Sequence, residues 1–302
     1  MNPIFQGWEG RRLAVSKAWK TAAALALWGW MATPPLFVDT VAEAPAEPAA
    51  LPAAADAAGG GEGAGDPDLW FAVGEELVFT IYWSAIPVGE TRCTSEWVEE
   101  DGRRLIHLRF RTRTNKVLST IFPVDDVIES FVDPATFLPL RFVKNVKEGK
   151  YRYHETTTFD WDAMEAHWES HIRNETKTVP LEPETRDIPS LMYWVRRDGI
   201  APGVQKSLRV WADDKIHDVE LPPGTAERLK VGRYGKMQTV KIEPKAAFGG
   251  VAVRKGRLWI WVTQDPRYLA AQISVEVPVA RVHLVLDEVK GPGNDFWVSR
   301  KR

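Results

Sequence analysis

The chain has 302 residues, of which 44% are hydrophobic and 26% charged, with a formal net charge of −2. That balance is ordinary for a globular protein and excludes a strongly basic surface of the kind that tracks nucleic acid phosphates. A single cysteine, Cys93, excludes a disulfide within the chain, so stability rests on the core.

Residues 1–38 read as a signal peptide or an N-terminal anchor. Arg11, Arg12, Lys17 and Lys20 precede an uncharged apolar run from Thr21 to Met31. A bilayer-spanning helix takes ~20 apolar residues, so a run this short behind a basic region fits secretion. Extending the run to Val38, across Pro34 and Pro35, gives the anchor instead. Cleavage is compatible with Ala32 or with Ala42-Glu43-Ala44. Arg11-Arg12 stands too far from the apolar run for a twin-arginine signal, and no cysteine follows the run for acylation. Residues 39–68 are Ala, Pro, Gly and acids, too poor in bulky groups to offset their ordering entropy, and are expected to be a disordered linker. The expected location is outside the cytoplasm, in the periplasm or cell envelope.

Residues 69–302 are expected to form a single β-rich domain with halves 69–185 and 186–302. In the run Glu76–Trp83, Leu77, Phe79, Ile81 and Trp83 fall on one face of a period-two pattern. Between Arg104 and Arg113, Ile106, Leu108, Phe110 and Thr112 take one face, and His107, Arg109, Arg111 and Arg113 the other. A hairpin turn at Asp101-Gly102 sets Trp97 opposite Ile106, Cys93 opposite Phe110, Glu96 opposite His107 and Glu90 opposite Arg113. A second hairpin at Glu148-Gly149 joins Leu140–Lys147 to Lys150–Phe159. Further strands are expected at Leu118–Val132, Met164–Ile172, Lys206–Trp211, Ile216–Leu221, Glu227–Tyr234, Met237–Glu243, Arg257–Thr263, Tyr268–Val277 and Val282–Val289. Turn residues between these runs give an all-β, mainly antiparallel fold: a curved sheet or barrel-like meander. Asp187–Arg197 breaks the period and reads as one amphipathic helix lying across the sheet, capped by Asp187, with Pro189 in its first turn and Gly199 at its end.

Three segments carry a resemblance: Phe71-Ala72-Val73-Gly74-Glu75-Glu76-Leu77 with Ile86-Pro87-Val88-Gly89; the Asp187, Ser190-Leu191, Tyr193-Trp194, Arg196 helix with Pro202-Gly203; and Leu258–Asp265 with Arg267. Together they resemble the bacterial exported domain-of-unknown-function family numbered 3108, over about residues 70–289. Gln264 stands where that family commonly has an acid, and Tyr268-Leu269-Ala270 replaces a Leu-Pro run. The resemblance implies export and a β-rich fold, and brings no catalytic residue.

Several groups invite chemistry. The row His107, Arg109, Arg111 and Arg113 suits an anionic head group or glycan acid, although Glu90 and Glu96 supply partners across the hairpin. Trp194, Trp259 and Trp261, with Trp83, Trp97 and Trp211, suit an apolar or sugar-lined pocket, or simply fill a core. Burial of both faces around Trp259 and Trp261 points to cover from the helix. His167 and His171 share a strand face ~13 Å apart, too far for one ion. Ser190 beside Asp187 lacks a nucleophile elbow and reads as cap chemistry. Asp125 and Asp126 point to opposite faces of a regular strand, with Glu129 on the Asp125 face, and the three read as a charged edge or rim rather than a glycosidase pair. Cys93 is expected to be a buried thiol.

No cofactor or metal is implied, and no catalytic constellation emerges. The function expected is a non-catalytic binder or carrier of a lipid or other amphipathic envelope component. The alternatives are a structural or interaction protein with an envelope protein as partner, and an enzyme acting on envelope polymers. Nucleic acid is not an expected partner.

Overall fold

The computed structural model describes residues 68–212, 214–248, 251–252, 257–277 and 280–292. The expectations for residues 1–67 lie outside the described residues. The chain first makes an antiparallel meander of β1 (Glu76–Trp83), β2 (Ile86–Glu100), β3 (Arg103–Thr114), β4 (Asp125–Val132), β5 (Pro139–Glu148), β6 (Tyr151–Asp160), β7 (Glu165–Ser170) and β8 (Glu175–Pro180), with a one-turn helix α1 (Lys116–Ser119) between β3 and β4. Next come β9 (Arg186–Asp187), helix α2 (Ile188–Asp198), β10 (Lys206–Ala212) and β11 (Lys215–Leu221). The last part is β12 (Thr225–Val231), β13 (Gly235–Ile242), β14 (Lys245–Phe248), β15 (Val251–Ala252), β16 (Arg257–Thr263), β17 (Ala270–Val277) and β18 (Ala280–Lys290).

These strands form a 13-stranded sheet, ordered β12-β13-β16-β17-β18-β1-β2-β3-β4-β5-β6-β7-β8, and a five-stranded sheet, ordered β15-β14-β11-β10-β9. The fold is thus mainly antiparallel β. The short β9–β10 pairing is parallel. β18 returns to pair with β1, Glu76 opposite Lys290, so one sheet holds strands from both halves of the chain.

The alternation of β3 explains its placement. Ile106, Leu108 and Phe110 are buried at 1% exposure or less and face the core. The β2–β3 register is the expected one: Trp97 opposite Ile106, Cys93 opposite Phe110, Glu96 opposite His107 and Glu90 opposite Arg113. Asp101 and Gly102 both take positive φ, 51° and 73°, as a two-residue turn matched to strand twist requires. Gly89 allows a close approach, since a Cβ there would meet the Arg113 carbonyl oxygen at 2.2 Å.

The small sheet crosses the inner side of the large one. Trp211 of β10 is fully buried, its indole 5.7 Å from the Phe159 ring, and its Nε1 donates to Thr157 Oγ1 on β6 at 3.1 Å. Val210, Val219 and Leu221, on the other face of β10–β11, pack with Val240, Ile242 and Val262 of β13 and β16. The helix α2 lies over β3 and β4 and contacts β9 and β10. The Asp187 carboxylate accepts from Ser190 N at 2.8 Å and from Ser130 Oγ on β4 at 2.5 Å, fixing where the helix begins.

Some boundaries differ from expectation. The strand expected from Leu118 starts at Asp125, because Asn115 Oδ1 accepts from Leu118 N at 2.9 Å and starts α1. The strand expected over Glu227–Tyr234 ends at Val231 in a 3-10 turn, and the one expected from Tyr268 starts at Ala270. β8, β9, β14 and β15 carry no alternating apolar pattern that would have announced them.

Candidate functional site

A row of polar side chains interrupts the apolar inner face of β4–β7. Along β4, Asp126, Ile128, Ser130 and Val132 are the buried alternate positions. Ile128 lies opposite Lys144, Lys144 opposite Glu155, and Glu155 opposite Ser170, so the pairing register aligns an ammonium, a carboxylate and a hydroxyl across three strands. Glu148 is two turns of alternation beyond Lys144 on β5. Asp126, Lys144, Glu148, Glu155 and Ser170 are each 6% exposed or less.

Two sub-clusters share this space. Glu155 Oε2 accepts from the Tyr153 hydroxyl and from Trp168 Nε1, each at 2.7 Å, and Lys144 Nζ lies 3.9 Å from Glu155 Oε1. Asp126 Oδ1 accepts from the Lys147 backbone N–H at 2.8 Å, and its carboxyl is hydrogen-bonded to that of Glu148. Burial, then the charge of Asp126, pushes Glu148 up to about 8, and burial pushes Asp126 up to about 6. The two carboxyls therefore hold a proton between them at neutral pH. Ser170 Oγ, fully buried, has no hydrogen-bond partner. Asp126, Glu148 and Glu155 are thus three carboxyls buried near the Lys144 ammonium, and the Ser170 hydroxyl, opposite Glu155, has no hydrogen-bond partner.

A second buried charge group ties the helix down. Arg196 of α2 donates to Glu75 Oε1 at 2.7 Å and Oε2 at 3.2 Å, Arg267 also donates to Glu75, and Arg196 Nε donates to the Arg267 carbonyl at 3.0 Å. Glu75 is 1% exposed. These residues are 121 and 192 positions apart in sequence.

A family model for a protein of unknown function, DUF3108, matches residues 78–287. The chain belongs to the DUF3108 family. A crystal structure of a beta-barrel-like protein of another domain of unknown function, DUF1849, from Brucella abortus, is similar at 10% identity and a TM-score of 0.48, covering 72% of this chain and 97% of that one. No curated protein matches the chain. In this DUF3108 chain the three segments that carried the resemblance meet in space, since Glu75, Arg196 and Arg267 come one from each.

The residues singled out from the sequence fall in three separate places of the DUF3108 fold. His107, Arg109, Arg111 and Arg113 form one row on the outer face, matched by acids on both flanks. His107 Nδ1 lies 2.9 Å from Glu96 and Nε2 3.1 Å from Glu129, with its ring stacked on Phe131 at 4.6 Å. Burial alone would lower the His107 pKa, but its hydrogen bonds to Glu129 and Glu96 outweigh that and raise it. Arg109 lies 3.5 Å from Glu129, and Asp125 accepts from Arg111 at 2.8 Å and from Arg113 at 3.1 Å. Trp194 sits on the helix among Phe137, Trp70 and the guanidinium groups of Arg186 and Arg197. Trp259 and Trp261 are buried, 9% and 8% exposed, on the face of β16 opposite that on which Val262 packs. Charged side chains cover these two rings, while Ile260 and Val262 on the other face of β16 share an apolar cluster with Ile188 and Leu191 of the helix. Lys241 lies 5.0 Å from the Trp261 ring and Arg257 4.7 Å from that of Trp259, while their indole N–H groups reach Glu227 and Glu243 respectively.

The acids on β4 also divide. β4 lies between β3 and β5, so it is not the edge expected for Asp125, Asp126 and Glu129. Asp125 and Glu129 meet the outer basic row, and Asp126 points into the inner cluster. His167 lies 3.2 Å from Thr178 Oγ1 and His171 2.8 Å from Thr156 Oγ1, each with its own neighbour. Cys93 is buried, and burial pushes its thiol pKa up. The inner cluster was missed in the sequence, although Lys144 is two positions from Phe142 and Glu155 four from Phe159, in the inward phase of their strands.

Proposed function

We propose that the protein is a non-catalytic binder or carrier of an amphipathic ligand, and that the inner cluster of β4–β7 receives the ligand's cationic head. The observation that carries this reading is the buried, proton-sharing carboxyl pair of Asp126 and Glu148 on the same inner face as the unpartnered Ser170 hydroxyl. A protonated amine entering there replaces the proton shared by Asp126 and Glu148, so the carboxyls ionise in paired form. Tyr153 and Trp168 supply apolar ring surface around the head group. We also place the protein outside the cytoplasm, in the periplasm or cell envelope, on the strength of the basic region and apolar run before Ala32.

The carboxyl pair does not favour an enzyme acting on envelope polymers. Glycoside cleavage needs two carboxyls ~5 Å or more apart, one on each side of the scissile bond. Asp126 and Glu148 are hydrogen-bonded to each other and 5% and 6% exposed. A competing reading is an envelope-assembly partner that adds a strand to β8, the exposed edge of the large sheet. Lys177 and Pro180 guard that edge against pairing, which favours the interior reading.

The test is calorimetric titration of the full chain with decylamine and, separately, with decanoate, both below their micelle concentrations. The reading expects saturable binding of the amine, loss of that binding in Glu155→Gln, and no binding of decanoate. Equal binding of both, or none of the amine, overturns it.

A further inference from the structure

In an antiparallel meander every second connection emerges at the same end. The β1–β2, β3–β4, β5–β6 and β7–β8 connections therefore share one end of the large sheet. They are bonded into a continuous surface. Asn115 N donates to the Val88 carbonyl at 2.9 Å and Asn115 Nδ2 to the Pro87 carbonyl at 2.8 Å, which joins the first two connections. Gly149 N donates to the Pro123 carbonyl at 2.8 Å, which joins the second and third. The Arg173 guanidinium lies 5.7 Å from the Tyr153 ring, and Tyr151 stacks on Tyr153 at 6.4 Å, which brings in the fourth.

Most of the exposed large apolar side chains gather here. Ile86 is 66% exposed, Val117 74%, Ile121 75%, Tyr151 45% and Ile172 46%. Of the exposed large hydrophobics among the described residues, Val204 alone lies elsewhere. Lys116, Lys147, Lys150, Arg152 and Arg173 are exposed among them. The connections themselves, 84–85, 115–124, 149–150 and 171–174, hold no acid; of the adjoining strand ends, Glu148 is buried and Glu175 is exposed. At the opposite end the β2–β3 and β6–β7 connections instead expose Asp101 and Asp162.

Apolar side chains at loop tips with cations between them match a bilayer whose head groups are anionic. The apolar groups enter the boundary between head group and acyl chain, and the cations stay at the level of the phosphates. We propose that this end of the protein docks on an anionic lipid bilayer through Ile86, Val117, Ile121, Tyr151 and Ile172, with Lys116, Lys150 and Arg152 contacting the head groups. The surface stands on exposed residues and requires no occupant of the inner cluster, so its failure would leave the amine-binding reading intact.

The test uses the full chain with one added cysteine, since the native Cys93 is buried and unreactive toward a bulky label. A polarity-sensitive fluorophore is placed either on Val117→Cys, at the proposed surface, or on Ala135→Cys, at the opposite end. Vesicles contain phosphatidylglycerol with phosphatidylcholine, or phosphatidylcholine alone. The proposal expects a blue shift of the Val117→Cys label with the anionic vesicles, reversed by salt, and no shift of the Ala135→Cys label. It also expects Lys150→Glu with Arg152→Glu to weaken the response about tenfold, with an unchanged far-ultraviolet spectrum. A silent Val117→Cys label, equal shifts at both ends, or a response indifferent to the charge reversal overturns it. The two-ended comparison separates this surface from attachment through the apolar N-terminal run.

Discussion

Glu148→Gln tests the inner cluster through the pH dependence of folding. Burial and the neighbouring Asp126 lift the Glu148 carboxyl from an ordinary 4.5 to about 8 in the folded protein. Between those values the folded chain holds a proton that the unfolded chain has released. Stability must then fall as pH rises through that window, by up to about 1.4 kcal/mol per pH unit for one proton. From about pH 5 to about pH 8 the loss is on the order of 4 kcal/mol at most. Glutamine keeps the shape and a hydrogen-bond donor for Asp126 but cannot ionise. The variant should therefore resemble the native protein near pH 5 and exceed it in stability near pH 8. His107, whose pKa is raised, and His154 and His283, whose pKa values are lowered, are present in both proteins and cancel in the difference. Urea unfolding followed by tryptophan fluorescence, at closely spaced pH values, reads this directly. Parallel stability–pH curves for the two proteins would refute the shared proton.

Two further substitutions probe the frame around the cluster. Arg196→Met leaves Glu75 buried with one of its two arginines and frees the helix from β1's approach; a loss of about 3–5 kcal/mol in urea unfolding is expected, and a loss under about 1 kcal/mol would show the ion group to be dispensable. Trp211→Ala opens a cavity between the small sheet and β6 and removes the bond to Thr157, so a cost of about 3–5 kcal/mol is expected by the same assay.

How far the sequence could be read depended on whether a residue's surroundings were local. The β2–β3 hairpin was legible to the single pair because Asp101-Gly102 and two alternating faces overdetermine its register. The helix was legible because Asp187, Pro189 and Gly199 mark its start and stop. The second sheet was not, since β9, β14 and β15 are 2 to 4 residues long and owe their pairing to the sheet they join. Asp126 was misplaced for a related reason. A charged position in an alternating strand signals a solvated edge only when the strand has one free side, and β4 is paired on both. The outer basic row shows the reverse limit. Its register was correctly read, but Asp125 and Glu129, which neutralise it, come from β4, a strand further on.

The two buried charge groups answer different physical demands. Around Glu75, two guanidinium groups converge on one carboxylate with directional bonds from both, while the Arg196 Nε is satisfied by a carbonyl. Desolvation there is offset within the protein, and the product is position: the helix is held against the strand that opens the sheet. The cluster of β4–β7 is arranged differently. Glu155 has directional donors in Tyr153 and Trp168, yet Asp126 and Glu148 must share a proton to coexist, and Ser170 Oγ has nothing to bond. A frame needs no such deficit, because two apolar side chains of the same size would pack in place of the carboxyl pair at lower cost. The proposed exchange of that proton for a ligand's cation does need it, which is why the binding reading is preferred to that of a merely packed interior.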